Sequence, residues 1–321
     1  MKDSKHKILT LAALTTIAAG IVHISNRVIV ASSQLKEMLD FSDHNYYDWR
    51  FGKIYYTKKG SGSPLLLIHD TMPGGSGYEW SRVEDQLALE HTVYTIDLLG
   101  CGRSEKAGIT YTNFLFVQII CDFIKNVIKE KTDIIASGFS CSFVTTAAAY
   151  DKENINKIMF INPVSLVSLS KTPTQKDKIF KFLIEIPVFG TLIYHIIVSR
   201  ETISDLFLDN LYYNPFHADR DIMDAYYEAA HKGGYYAKYL YSSQSAKYMN
   251  INIRHALESL DNSIYIVEGE DEPNGNSIVD DYRRINPAIE TAVISCSKHF
   301  PHIENAEGFL EQVGTFFASE K

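Results

Sequence analysis

Hydrophobic positions change their spacing several times along the chain, and each spacing predicts a different element. Short continuous apolar runs over residues 64–69, 92–98, 134–136 and 157–162 are typical of strands that helices cover on both faces. Between two of these runs, residues 113–129 repeat apolar side chains at the helical period. Strands and helices therefore alternate, which predicts a doubly wound, mostly parallel α/β sheet.

Further segments extend this sheet at both ends of the chain. The additional predicted strands are residues 47–50, 52–58, 263–268 and 291–295. A last helix over residues 306–317 follows them. We therefore predict one α/β core built from residues 41–166 and 251–321.

The alternation stops over residues 167–250, where the pattern is largely helical and holds ten of the twenty tyrosines. We predict that this segment is a helical lid inserted into the core. Its residues 182–198 are strongly apolar, but Pro187 and Gly190 interrupt them. This interruption favours two short hinged helices over a membrane span.

Residues 1–40 differ in kind from the rest of the chain. Residues 8–26 carry no charged side chain and follow a lysine-rich start, and nineteen such residues are about enough to cross a bilayer as a helix. A signal peptide has the same pattern. We favour an uncleaved anchor because no small-x-small cleavage site follows, and the leading lysines then place the folded domain outside the cytoplasm. An amphipathic helix lying on the protein itself is the third interpretation.

Composition narrows the possible partners. The net charge of −8 leaves no basic stripe to neutralise phosphates, which argues against a nucleic-acid partner. The four cysteines lie far apart, without a C-x-x-C pair, so they indicate neither a metal site nor a disulfide framework. The sequence implies no cofactor and leaves the oligomeric state open.

Residues 133–142, with the sequence DIIASGFSCS, are the strongest candidate for a reactive turn. A strand, a sharp turn with serine at its apex and then a helix lift a hydroxyl above the end of a parallel sheet. Such a turn needs small residues two before and two after the serine. Gly138 and Ser142 meet that need around Ser140, although an ordinary strand-to-helix turn gives the same pattern.

The order of five stretches resembles the α/β-hydrolase fold superfamily, and most closely its lid-bearing branch of esterases, peptidases and dehalogenase-like enzymes. The stretches are PLLLIHD, YTIDLLGCGRSE, ASGFSCS, IYIVEGEDE and SKHFPHIENAEGF. The likeness covers about residues 47–317. It implies the α/β-hydrolase fold, with the inserted helices as a lid over the site.

The resemblance also implies a catalytic triad. A serine hydroxyl needs a base within hydrogen-bond reach and a third group that orients this base. In the family the order is serine, acid, histidine, which assigns Ser140 as nucleophile and favours His299 over His302 as base. Glu272 is the favoured acid, and its neighbour Asp271 is the alternative.

An oxyanion needs fixed donors, usually two backbone amides. The resemblance assigns these to Cys141, after the serine, and to Thr71, after the first central strand. Asp70 stands where the family has glycine, and a carboxylate beside an oxyanion opposes its formation. Asp70 therefore either turns outward or marks altered or lost chemistry.

A serine at the turn argues against dehalogenases and epoxide hydrolases, which carry aspartate there. We therefore predict a membrane-attached serine hydrolase that cleaves a small, partly apolar ester, thioester or amide through an acyl-enzyme. The alternative is a catalytically weak or inactive relative that serves in binding or interaction, as the departures at Asp70, Ser142 and Glu272 suggest. The lid aromatics form either an acyl pocket or a small core of their own.

Overall fold

The computed structural model describes residues 2–40 and 45–318. The strands are β1 (Asn45–Trp49), β2 (Gly52–Lys59), β3 (Ser63–Ile68), β4 (His91–Ile96), β5 (Thr132–Ser137), β6 (Ile155–Ile161), β7 (Ile264–Gly269) and β8 (Glu290–Ile294). The helices are α1 (Lys2–Ser33), α2 (Glu84–Leu87), α3 (Asn113–Phe123), α4 (Ser140–Tyr150), α5 (Leu166–Leu169), α6 (Gln175–Glu185), α7 (Phe189–Ile197), α8 (Arg200–Asp205), α9 (Arg220–His231), α10 (Lys238–Ser245), α11 (Arg254–Glu258), α12 (Gly275–Ile285), α13 (Pro301–Glu304) and α14 (Ala306–Phe317). The predicted start of the core, residue 41, lies outside the described residues.

The strands form one sheet in the order β1-β2-β4-β3-β5-β6-β7-β8. The first two strands pair antiparallel, β2 pairs antiparallel with β4, and every pair from β4 to β8 is parallel. The predicted fold class is confirmed. Because the chain leaves β3 for β4 on one side and then crosses to β5 on the other, a crevice opens above the carboxyl ends of β3 and β5.

The central strands are buried on both faces, as their continuous apolar runs predict. In β3, Leu66 and Ile68 belong to the apolar cluster that contains α3 and α4, while Leu65 and Leu67 belong to a second cluster with Trp80. Alternate side chains of one strand therefore pack into opposite layers. This packing fixes the strand ends that carry the site.

Two predicted helices differ in detail from the structure. The helix predicted near residues 80–89 is a 3₁₀ turn at Gly77–Trp80 followed by the single turn of α2. The long helix predicted to residue 129 is α3 continued by a π-helical turn at Ile124–Ile128, after which Lys129 adopts a left-handed backbone. The next strand, β5, begins three residues later.

Helices α5 to α11 lie between β6 and β7; the predicted insertion, residues 167–250, covers this interval up to the end of α10, and α11 lies beyond it. Its apolar residues 182–198 form parts of α6 and α7, which meet at a hinge around Pro187, as expected from the interruption. Ile184, Tyr194, Phe207 and Tyr226 pack into a cluster of their own, which also includes Phe300 from the loop after β8. The insertion is therefore packed directly against that loop.

Helix α1 lies against α7 and α9 of the insertion. Its segment Ala13–Ser33 has a mean hydropathy of 1.4 and is mostly exposed, and among the described residues it is the one single helix long and apolar enough to cross a membrane. The chain after α1 is held by an ion pair between Lys36 and Asp224. Leu39 is buried against Ala225.

Candidate active site

Four loops at the carboxyl edge of the sheet converge on one point. They follow β3, β5, β7 and β8, and they bring together Asp70, the turn at Gly138, Glu272 and His299. Because parallel strands end at the same edge, residues far apart in sequence meet there. These loops form the candidate site.

The apex of the turn after β5 is Gly138. Its φ of +53° lies in the left-handed region, which glycine adopts at little steric cost, whereas Ser140 is already the first residue of α4. The structure therefore differs from the predicted turn, which had Ser140 at the apex. The hydrogen bond from the amide of Gly138 to Ile161 O, at 2.9 Å, ends the pairing with β6. The chain therefore leaves the sheet at Gly138, two residues before Ser140.

The carboxylate of Asp70 fills the space above this apex. A Cβ atom placed on Gly138 would lie 2.3 Å from Asp70 Cγ. Asp70 Oδ1 accepts hydrogen bonds from the amides of Thr71 at 2.6 Å and Phe139 at 3.0 Å. Asp70 is only 7% exposed, and its carboxylate does not turn outward.

His299 lies between two carboxylates. Its Nε2 is 3.5 Å from Asp70 Oδ2, and its Nδ1 is 3.3 Å from Glu272 Oε1. Burial disfavours the charged ring, but the hydrogen bonds and charges of Asp70 and Glu272 outweigh burial and raise the pKa of His299 to about 10. Both carboxylates therefore favour the protonated, imidazolium form of the ring.

The alternative acid and base lie elsewhere. Asp271 is exposed, and its amide donates to Ser297 O. His302 is fully buried against Trp80, with its Nε2 3.3 Å from Glu79 Oε1. The structure thus brings Glu272 rather than Asp271 to His299, and His299 rather than His302 to Asp70.

Ser140 is buried beside the site, and its hydroxyl donates to His69 O at 2.6 Å. The polar contacts of the His299 ring are to Asp70 and Glu272. The amide of Cys141 donates to Gly138 O at 3.4 Å, so the amide pair at the site consists of Thr71 and Phe139 instead. This difference follows from the apex lying two residues before Ser140. The role of Ser140 as nucleophile stays a prediction.

The buried carboxylate of Glu79 fixes the loop that carries Asp70. Glu79 Oε2 accepts the amide of Asp70 at 3.0 Å and the hydroxyl of Tyr226, from α9 of the insertion, at 3.2 Å. Glu79 Oε1 accepts the hydroxyl of Ser137 and faces His302. Burial opposes ionisation, but His302 and the hydrogen bonds outweigh burial and lower the pKa of Glu79. One carboxylate therefore connects β3, β5, α9 and α13.

A second buried ion pair fixes the loop after β4. Asp97 accepts hydrogen bonds from Arg103 through Nε at 2.7 Å and Nη2 at 3.0 Å, and from the amide of Gly77 at 2.6 Å. Burial alone disfavours the charged carboxyl, yet Arg103 lowers the pKa of Asp97 to about 2. The pair joins the loop after β4 to the 3₁₀ turn that carries Glu79.

Asp70 departs from the family pattern in the sequence, but its position above the apex of the turn was not predicted. A second pattern in the sequence agrees with it: Ala136 and Ser140 are small residues two before and two after Gly138, so a turn with glycine at its apex fits as well. The role of Phe139 as a donor follows from that shift. Within residues 2–40 and 45–318, no group of three or more metal-ligating side chains is arranged to hold an ion.

Comparison with known proteins agrees with this architecture. Residues 65–312 match the family model described as "Alpha/beta hydrolase family". The chain is 29% identical over 117 residues to 2-hydroxy-6-oxo-6-(2'-aminophenyl)hexa-2,4-dienoic acid hydrolase of Metapseudomonas resinovorans, a stretch covering 35% of this chain and 39% of that protein. It is 30% identical over 109 residues to the soluble epoxide hydrolase of Corynebacterium sp. (strain C12), covering 34% of this chain and 37% of the relative.

The matched stretches therefore span less than half the length of these curated relatives. Among solved structures, a serine hydrolase involved in carbazole degradation superposes with a TM-score of 0.69 at 18% identity. The superposition covers 86% of this chain and 98% of that one. At this identity the likeness shows the fold alone.

Proposed function

This chain belongs to the alpha/beta hydrolase family, and from that premise we propose that it is a hydrolase whose reacting group is the carboxylate of Asp70. His299 and Glu272 complete the constellation. One observation carries the proposal: Asp70 Oδ1 accepts both amides above the turn, while Oδ2 faces His299. The hydrolases among its relatives support the reaction class.

The occupied amide pair favours one kind of hydrolysis over another. Acyl transfer by a serine needs both amides free to hold the developing oxyanion. Here Asp70 Oδ1 takes both, which suits displacement by a carboxylate at a saturated carbon, because the amides then hold the oxygen that does not attack. An epoxide or alkyl halide is the corresponding substrate class. The soluble epoxide hydrolase among the relatives supports this class.

A serine at the apex of the turn would count against such enzymes, but Gly138 is the apex and the carboxylate of Asp70 lies above it. The carboxylate comes from the loop after β3 rather than from the turn itself. Its position relative to the amides and His299 supports the proposed role as nucleophile.

In the first step Asp70 Oδ2 attacks the substrate carbon, forms an ester bond and breaks the bond to the leaving halide or epoxide oxygen. Esterification removes the charge of Asp70, so the pKa of His299 falls and its proton leaves to solvent. An epoxide oxygen takes up an equivalent proton from solvent, whereas a halide departs as the anion.

In the second step neutral His299, oriented by Glu272, takes a proton from water, and the hydroxide attacks Asp70 Cγ. The amides of Thr71 and Phe139 hold the oxyanion that forms on Oδ1. Collapse breaks the ester bond, the departing alkoxide takes the proton from His299, and a carboxylic acid remains at Asp70. This acid passes its proton to His299, which restores the Asp70 carboxylate and the imidazolium.

A second candidate is the serine hydrolase predicted from the sequence, with Ser140 forming an acyl-enzyme from a small, partly apolar ester, thioester or amide. The observation that favours it is the position of Ser140 at the start of α4, with its hydroxyl against the residue that precedes Asp70. It requires Asp70 to leave the amides and the Ser140 hydroxyl to turn towards His299. The occupied amide pair makes it the weaker candidate.

Single-turnover reaction in heavy-oxygen water tests the proposal. With an aromatic epoxide, the peptide containing Asp70 should gain one heavy oxygen, and Asp70→Asn should abolish turnover while Ser140→Ala and the matched control Asp271→Asn retain it. Fluorophosphonate labelling that disappears in Ser140→Ala, with turnover of p-nitrophenyl esters, would overturn the proposal in favour of the serine. No turnover of epoxides, alkyl halides or esters by folded protein would instead favour a binding role.

We also propose that α1 anchors the protein in a membrane and that the folded domain lies outside the cytoplasm. The apolar segment Ala13–Ser33 and the lysines before it support this arrangement. The full chain should resist alkaline extraction from membranes and be digested by protease added to spheroplasts. Release by alkali, or protection of the domain in intact spheroplasts, would contradict the proposal.

A further inference from the structure

A groove of about 540 Å³ lies between α1 and the helical insertion, away from the candidate site. Asn26 and Ala31 line one side, and Val188, Thr191 and His195 line the other. Pockets that bind small molecules in proteins measure roughly 300–1,000 Å³. The groove therefore has the size of a ligand site.

Polar atoms in this groove have no hydrogen-bond partner among the described residues. They are Asn26 Oδ1, Thr191 Oγ1 and both ring nitrogens of His195. Asn26, Thr191 and His195 are only 7%, 4% and 3% exposed. Because buried polar groups are almost always hydrogen-bonded, such a cluster needs partners that the described residues do not supply.

The contacts of Asn26 determine what this ligand must carry. Its Nδ2 donates to Val188 O at 2.9 Å, which leaves Oδ1 as an acceptor that needs a donor. Thr191 and His195 offer both donors and acceptors. A hydroxyl-bearing group satisfies all three side chains, whereas a bare carboxylate offers nothing to Asn26 Oδ1.

The surroundings of the groove determine the rest of the ligand. Ile24 and Val28 of α1 and Phe189 at the start of α7 are exposed apolar side chains, and each is the next residue in sequence after one that lines the groove. The uncharged stretch of α1 ends at Asn26, and Arg27 lines the groove next to it. A ligand with a polar head and an apolar chain matches these surroundings.

We propose that this groove binds a single-chain lipid with a hydroxyl-bearing head group, such as a monoacylglycerol or a lysophospholipid. The head group contacts Asn26, Thr191 and His195, and the acyl chain lies along the apolar face of α1. The bound lipid contacts the hinge between α6 and α7, because Val188 is part of the groove. The site does not depend on the chemistry proposed for Asp70.

Photolabelling of the full chain in a non-ionic detergent tests this site. The probe is a monoacylglycerol with a diazirine in its acyl chain. The label should saturate and map to α1 and to the hinge around Val188. Ala31→Trp, which fills the groove from an exposed position, should reduce labelling about tenfold. The matched control Ser32→Trp, its exposed neighbour on α1, should not.

The head group is tested by competition and by a second variant. Monooleoylglycerol and lysophosphatidylglycerol should both displace the probe, and oleate should do so at least about tenfold less well. His195→Phe keeps an aromatic ring but removes both nitrogens, and it should erase this preference. Equal displacement by oleate would overturn the head-group assignment. Unsaturable labelling, or equal labelling of Ala31→Trp and Ser32→Trp when both melt like the wild type, would overturn the site.

Discussion

Replacing Asp70 by asparagine should make His299 a much weaker base. The two charges lie 3.5 Å apart, and at an effective dielectric constant of about 20 their attraction is about 5 kcal/mol. Glu272 remains beside the ring, so we expect the proton affinity of His299 to fall by a factor between about 10 and 1,000. The ring proton can be followed by a pH titration of imidazole nitrogens by NMR in protein labelled at histidine.

The same change should alter how stability depends on pH. The pKa of His299 is raised from 6.5 to about 10, so its stabilising effect is complete below about pH 6.5 and is lost as the pH rises through 10. This loss is at most about 5 kcal/mol in the wild type and should shrink in Asp70→Asn. Asp271→Asn is the matched control, since Asp271 does not contact the ring. The reasoning is refuted if His299 of the wild type titrates near its ordinary pKa, or if both variants lower its proton affinity equally.

Three further outcomes are expected. Asp70→Gly combined with Gly138→Ser frees the amide pair and puts a hydroxyl at the apex, so the double variant should gain p-nitrophenyl ester turnover and fluorophosphonate labelling that neither single variant shows. Asp97→Ala removes the buried carboxylate that accepts two hydrogen bonds from the Arg103 side chain, and it should lower the free energy of unfolding in urea by about 3–5 kcal/mol, whereas exposed Asp48→Ala should change it little. The pKa of Asp97 is lowered to about 2, so the ionised carboxylate stabilises the fold fully above its usual pKa and this contribution should be lost as the pH falls through 2. Unfolding curves of the wild type and Asp97→Ala at acid pH measure this loss.

The sheet could be predicted from the sequence because its signals are local. Each central strand is buried on both faces, so a continuous apolar run marks it wherever it lies in the chain. The proximity of Glu272 and His299 could be predicted for a related reason, since the resemblance places them in the loops that follow β7 and β8. The hinge near Pro187 also follows from a local interruption of an apolar run.

The apex of the turn could not be chosen from the sequence alone. Two patterns overlap there: Gly138 and Ser142 flank Ser140, while Ala136 and Ser140 flank Gly138. The choice depends on where β5 stops pairing with β6, which is a tertiary contact. Pairing reaches Ser137 opposite Ile161, so the chain turns at the next residue.

The network around Glu79 was missed for the same reason. Its partners are Asp70, Ser137, Tyr226 and His302. The most distant of them, His302, lies 223 residues after Glu79 in the sequence. No spacing rule connects them. Only the folded chain shows that one carboxylate supports the Asp70 loop and receives a hydroxyl from the helical insertion.

The carboxylate above Gly138 comes from Asp70, which follows β3. A side chain on the turn residue itself would come from the end of β5 instead. Under the role proposed for Asp70, homologous proteins can hold equivalent carboxylate atoms at one point in space although the residues that supply them occupy different alignment columns. A search for further proteins of this kind should therefore start from a glycine at the turn and look for an acidic residue directly after the first central strand.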